Sequence, residues 1–97
     1  MLGGLSGKKE RDSTVDNILS ILKSEIELKL SKELAVLEAD SYKTQVVAGI
    51  NFFIKAKISN KEFIFVKVFR DLPHNNKNDK LISVKVGVLK DEEIEYF

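Results

Sequence analysis

The chain contains no cysteine, only one histidine and one proline, and no long apolar run in its 97 residues. Without cysteine there are no disulfides, no thiolate nucleophile and no cysteine-based zinc site, and a lone histidine cannot build a metal site unaided. No metal and no cofactor are expected. No stretch approaches the roughly 20 apolar residues of a membrane span, and residues 1–12 lack the apolar segment of a signal peptide. The expectation is a cytoplasmic protein without a membrane partner. Sixteen basic residues against fifteen acidic ones leave a formal charge of +1, so no global field recruits nucleic acid or an anionic surface. Recognition has to come from shape. A hydrophobic fraction of 43% with 32% charged residues fits one globular domain, residues 1–97, with one modest core.

The opening, Met1 to Gly7, places three glycines in seven residues and is followed by the charged run Lys8 to Asp12. It reads as a flexible arm over 1–12, although Leu2 and Leu5 are more than a solvated tail needs. Ser13-Thr14-Val15-Asp16 has the chemistry of a helix start, with Ser13 as the capping acceptor and Asp16 at the positive end of the dipole. Val15, Ile18, Leu19, Leu22, Ile26 and Leu30 then recur at three- and four-residue steps, which predicts one amphipathic helix over about 13–31. Ile21 and Leu28 lie beside that stripe and are expected to widen the buried face.

Residues 34–43 connect the helix to an extended segment. Phe52, Ile54, Ala56 and Ile58 alternate on one face of a strand over 50–58, and a short turn follows at 59–62. Over 63–69, Ile64, Val66 and Val68 face one way and Phe63, Phe65, Lys67 and Phe69 the other. A helix covers one face of a sheet, so the aromatic face is expected to be partly exposed or covered by long basic stems. Interleaved aromatic and basic residues such as Phe53, Lys55, Phe65 and Lys67 also suit a single-strand nucleic-acid platform, but the near-zero net charge argues against the positive groove it needs. Ile82, Val84, Val86 and Val88 are expected inward on a strand over 81–89, with residues 92–97 closing a last edge strand. The sum is an α+β fold: a four- to five-stranded antiparallel sheet wrapped around one helix.

Two breaks interrupt the strands. Gln45-Val46-Val47-Ala48-Gly49 ends in a glycine that permits a tight turn, yet its other residues are apolar where turns are ordinarily polar. Taken alone, a buried strand with a bulge at Gly49 is the better reading of it. The second break, 70–80, holds Leu72-Pro73-His74, where proline stops the ladder. His74 has no cysteine to activate and no assignable carboxylate to orient it, so it reads as a loop residue and not as a catalytic base. In a sheet of hairpins these two tips lie at the same end, and an arm running to that end would complete one narrow apolar edge.

Gly3-Gly4-Leu5-Ser6, Gln45 to Gly49 leading into Ile50-Asn51-Phe52-Phe53-Ile54-Lys55, Lys67-Val68-Phe69 before Leu72-Pro73-His74, and the ending Tyr96-Phe97 together resemble the stefins. These are the disulfide-free, intracellular type of the cystatin superfamily, and the resemblance spans nearly the whole chain. It departs from some stefins in carrying Leu2 in place of proline, and from secreted cystatins in having no tryptophan in the second tip.

The resemblance implies a reversible, tight-binding competitive inhibitor of papain-like cysteine proteases, not an enzyme. It implies a tripartite wedge made of Gly3 and Gly4, of Gln45, Val46, Val47, Ala48 and Gly49, and of Leu72, Pro73 and His74. On this basis the first tip becomes a contact surface, and Gly49→Trp is expected to weaken inhibition more than folding. A non-inhibitory binding or scaffold module on the same fold is the alternative. The active form is expected to be a monomer. Strain between turn and strand at Val46 and Val47 makes exchange of the helix and its following strand into a domain-swapped dimer a further expectation.

Overall fold

The computed structural model describes residues 4–71 and 78–97. In chain order they form β1 (Lys9–Glu10), α1 (Ser13–Leu30), β2 (Glu38–Val47), β3 (Gly49–Lys57), β4 (Phe63–Arg70) and β5 (Asp79–Val88). The strands lie side by side in sequence order, and every neighbouring pair is antiparallel. One helix packed on a five-stranded sheet is the α+β architecture expected from the periodicity.

The helix begins one residue earlier in its chemistry than expected. Asp12, not Ser13, is the N-cap, and its carboxylate accepts from the amides of Thr14 and Val15 at 3.0 and 3.3 Å. Asp12 has the extended backbone, φ −148°, that a cap requires, whereas Ser13 is already helical. Val15, Ile18, Leu19, Leu22 and Ile26 are buried against the sheet. Ile21 and Leu28, expected in the core, are 71% and 79% exposed. The sheet meets a single stripe of the helix and does not reach around to the next one.

The inner core joins that stripe to Tyr42, Phe52, Ile54, Ala56, Ile64, Val66 and Val68. A second cluster lies on the opposite face of the sheet, where Phe53, Phe63, Phe65, Val88 and Ile94 are buried with Leu5 and Phe97 packed against them. Residues 92–97 are therefore not the expected edge strand; they cross the outer face as irregular chain. Two lysines fasten them. Lys55 Nζ donates to the carbonyls of Lys90 and Glu92, and Lys67 Nζ to that of Phe97 at 2.8 Å. The same ammonium groups lie over the rings of Phe63 and Phe53, each 5.2 Å from the centroid, where the ring face attracts a cation. The aromatic face is thus closed by the end of the chain as well as by basic stems.

β5 departs from simple alternation. Val68 pairs with Leu81 while Lys67 pairs with Ser83, and Phe63 pairs with Val88 while Phe65 pairs with Lys85, so each step inserts one extra residue into β5. Gly87, at φ 70°, takes up the second bulge. Each extra residue turns the following side chains to the other face. Leu81 and Val84 consequently pack on the inner core and Val88 on the outer one. Ile82 and Val86, expected inward, are 43% and 60% exposed.

Candidate functional site

β2 and β3 form a hairpin with almost no loop. Val46 pairs with Ile50 and Val47 with Gly49, leaving Ala48 alone at the turn. The strands thus run further into the 45–49 segment than a five-residue tip would allow. Gln45 is buried within the ladder, and its Oε1 accepts from Asn51 Nδ2 at 3.0 Å. Val46 and Ala48 are exposed and Val47 is half-buried.

Gly49 is buried at φ 133°, and a Cβ there would stand 2.5 Å from the Arg70 carbonyl oxygen and 2.8 Å from the Phe69 ring. Only a residue without a side chain lets β3 pass β4 this closely. The premise behind Gly49→Trp, that a side chain at this position leaves folding largely intact, is therefore overturned: any substitution here strikes β4.

The arm joins the opposite edge of the hairpin. Ser6 N–H donates to the Thr44 carbonyl at 2.8 Å, Thr44 N–H donates to Ser6 Oγ at 3.0 Å, and Lys9 and Glu10 pair with Tyr42 and Ser41. Residues 6–10, assigned to a flexible arm from the sequence, are thus laid along β2. Because the pairing is antiparallel, the chain from Glu10 back to Gly4 runs toward the Val46–Ala48 turn. Gly4 is exposed, its φ is not in the left-handed range, and a Cβ there would meet nothing within 4 Å.

Asp12 secures the base of the arm. Tyr42 Oη donates to its Oδ2 at 2.6 Å. That bond, helped by the two helix amides, holds the Asp12 carboxyl below its ordinary value of 3.8. The same bond, with burial second, pushes the Tyr42 hydroxyl above 10.0.

The ends of β4 and β5 complete this end of the sheet. Ile50 pairs with Arg70 and Arg70 with Asp79. The Arg70 guanidinium holds the Asp79 carboxylate in a two-pronged pair at 2.7 and 3.0 Å, and lies 5.1 Å from the centroid of the Phe52 ring. Gly3, Leu72, Pro73 and His74 lie outside the described residues. The described part of the edge therefore consists of Gly4, the Val46–Ala48 turn and the paired strand ends at Arg70 and Asp79. Arg70 and Asp79 escaped the sequence reading, since they lie nine positions apart and only their pairing across β4 and β5 makes them neighbours.

The described part of the edge offers backbone and small apolar side chains at Gly4 and the turn, beside the Arg70–Asp79 ion pair. Among the described residues no group of three or more His, Cys, Asp or Glu could hold a metal ion, and no helix is long and apolar enough to cross a membrane. A polar recess of about 370 Å³ opens on the outer face, lined by Lys8, Asp40, Lys43, Glu92 and their neighbours, but none of the edge residues lines it.

The family model of the cystatin domain matches residues 3–91 of this chain. The chain belongs to the cystatin family. Members of this family are inhibitors of cysteine proteases rather than enzymes. The chain is 34% identical to Stefin-C of Bos taurus over 96 residues, covering 99% of this chain and 95% of that protein. It is 37% identical to Cystatin-A1 of Sus scrofa over 97 residues, with 100% and 94% covered. To Cystatin-B of Homo sapiens it is 35% identical over 97 residues, with 100% and 99% covered. The alignments of this cystatin cover nearly the whole length of both partners in each case.

Proposed function

We propose that this cystatin is a reversible, competitive inhibitor of papain-like cysteine proteases. It acts as one domain of residues 1–97 and has no catalytic function of its own. The observation that carries this reading is the contrast within the edge: Val46, Ala48 and Gly4 are exposed with no role in the core, while Gln45 and Gly49 are buried and hold the turn in shape. A rigid, narrow, apolar edge can enter a cleft with little loss of entropy and without presenting a scissile bond to a thiolate. Gly3 and Gly4 would lie extended on one side of the catalytic cysteine, and Val46, Val47 and Ala48 on the other. Leu72, Pro73 and His74 would add a third contact. Gln45 and Gly49 serve from behind, as supports. A cysteine-free chain needs no oxidising compartment, which favours the cytoplasm as its site of action.

The inhibitory form is proposed to be the monomer. Its β2–β3 hairpin turns on Ala48 directly after two β-branched valines, Val46 and Val47, so opening it would exchange α1 and β2 between two chains and consume the contact edge. Titration into active papain with a peptide substrate tests the inhibitor reading: loss of activity at stoichiometric protein is expected. Undiminished activity at micromolar protein would leave a non-inhibitory binding module. A dimer isolated by gel filtration after partial thermal unfolding is expected to have lost the inhibition.

A further inference from the structure

Four ion pairs join described residues, and three of them have both partners at least 32% exposed: Arg11–Asp16, Lys32–Glu62 and Lys85–Glu92. Pairs of that kind contribute little. Arg70–Asp79 differs, with side chains only 23% and 9% exposed and two charge-assisted bonds that fix the guanidinium plane. Its position is as unusual as its geometry. The Arg70 carbonyl oxygen is the atom that a Cβ on Gly49 would strike, and the Arg70 guanidinium lies over Phe52, the partner of Thr44 in the ladder. One residue therefore touches the first hairpin through its backbone, its interior through the cation, and the start of β5 through the ion pair.

We propose that Arg70, clamped by Asp79, is a positioning residue for the protease-contacting edge, fixing the Val46–Ala48 turn relative to the ends of β4 and β5. This rests on the inhibitor reading. The pair lies beside the turn, at the ends of β4 and β5, and acts through the turn and not on the protease. Its effect is to keep the edge in a single shape after docking. Loss of the clamp lets the turn and the strand ends move independently, and a complex held by an edge that can relax is left sooner. Changes of this kind act mainly on the dissociation rate.

The test compares native protein, Asp79→Asn, Arg70→Lys and, as a control with the same charge change at an exposed pair, Asp16→Asn. Association and dissociation rates with papain are measured alongside amide hydrogen exchange. Asp79→Asn is expected to dissociate about tenfold faster, with association changed less than about threefold. Exchange at Gly49 and Ile50 is expected to quicken, while exchange at Ile18 and Leu22 in the helix stays as in the native protein. Asp16→Asn is expected to behave as native, and the difference between native and Asp79→Asn to persist at high salt, because a largely buried pair is screened much less than an exposed one. Arg70→Lys, which keeps the charge but loses the planar fork, is expected to show a smaller change in the same direction and decides the matter if Asp79→Asn fails to fold. Native dissociation rates in both variants would overturn the clamp and leave the inhibitor reading intact. Exchange that quickens equally in the helix would also overturn it, marking the pair as a general stabiliser. No inhibition by the native protein would remove the inhibitor reading and this proposal with it.

Discussion

The arm at Gly4 and the hairpin at Gly49 carry the same residue type at the same end of the molecule, for opposite reasons. Gly49 is required by the fold: its backbone is left-handed, and the space a side chain would need is filled by Arg70 and Phe69. Gly4 is not required by the fold, since a Cβ there meets nothing and its backbone suits any residue. A glycine that the folded chain does not need is a glycine available to a partner. The same division runs through the hairpin itself, where Gln45 and Gly49 face the protein and Val46 and Ala48 face solvent. A short apolar motif can thus be half buried support and half exposed surface.

The sharpest way to break this contrast is Gly49→Ala. Backbone strain and the clash with β4 are expected to lower stability by about 2–4 kcal/mol, read as a fall in the denaturant midpoint. A midpoint unchanged from native would mean that β3 can shift away from Arg70, and the distinction between the two glycines would fail.

A smaller effect is expected where the arm is tied down, at Tyr42→Phe. Asp12 is depressed in the folded protein, so its share of stability is present above its ordinary value of 3.8 and lost as pH falls through the lower folded value. Tyr42 is raised, so its share is present below 10.0 and lost as pH rises through the higher folded value. Melting temperature measured against pH should show the alkaline limb vanish, and the acid limb shrink, in Tyr42→Phe. Identical profiles would mean that the bond does not hold the arm.

Val46→Ala should leave stability within about 0.5 kcal/mol of native, as exposed sites do, while dissociation from papain quickens about tenfold, as for a contact anchor. Unaltered kinetics would remove Val46 from the proposed contact surface. The smallest change in stability is expected for Gly4→Ala, indistinguishable from native by thermal melting, and any effect it has should appear only in the release of the protease. A marked drop in melting temperature would show that the fold needs this glycine after all.

Periodicity made the inner half of the molecule legible. The helix stripe and the alternation through 50–58 and 63–69 depend on near neighbours, and each residue repeats its position every 3.6 or every two places. Counting those repeats is enough to find Val15, Ile18, Phe52, Ile54 and Val66 in one core. The stefin resemblance likewise rested on short contiguous segments. Alternation failed where a single inserted residue reversed it, as at Ile82 and beside Gly87 in β5, because a bulge leaves no period of its own in the sequence. The helix cap was displaced by one position because Ser13 and Asp12 are both good caps, and Tyr42, thirty residues away, engages Asp12.

The sequence by itself determined the helix, the hairpin order of the strands that follow it from β2 to β5, the inner core and, through the family resemblance, the kind of edge to look for. Only the tertiary structure decided that Ile21 and Leu28 face solvent, that the end of the chain covers Phe53, Phe63 and Phe65, and that Gly49 belongs to the scaffold. Those outcomes depend on which surface arrives opposite a residue from far along the chain. Lys55 meets carbonyls 35 and 37 positions later, and Gly49 meets one 21 positions later. A local pattern tells a side chain which way to point, but the atoms that fill or leave the space there are brought by the fold.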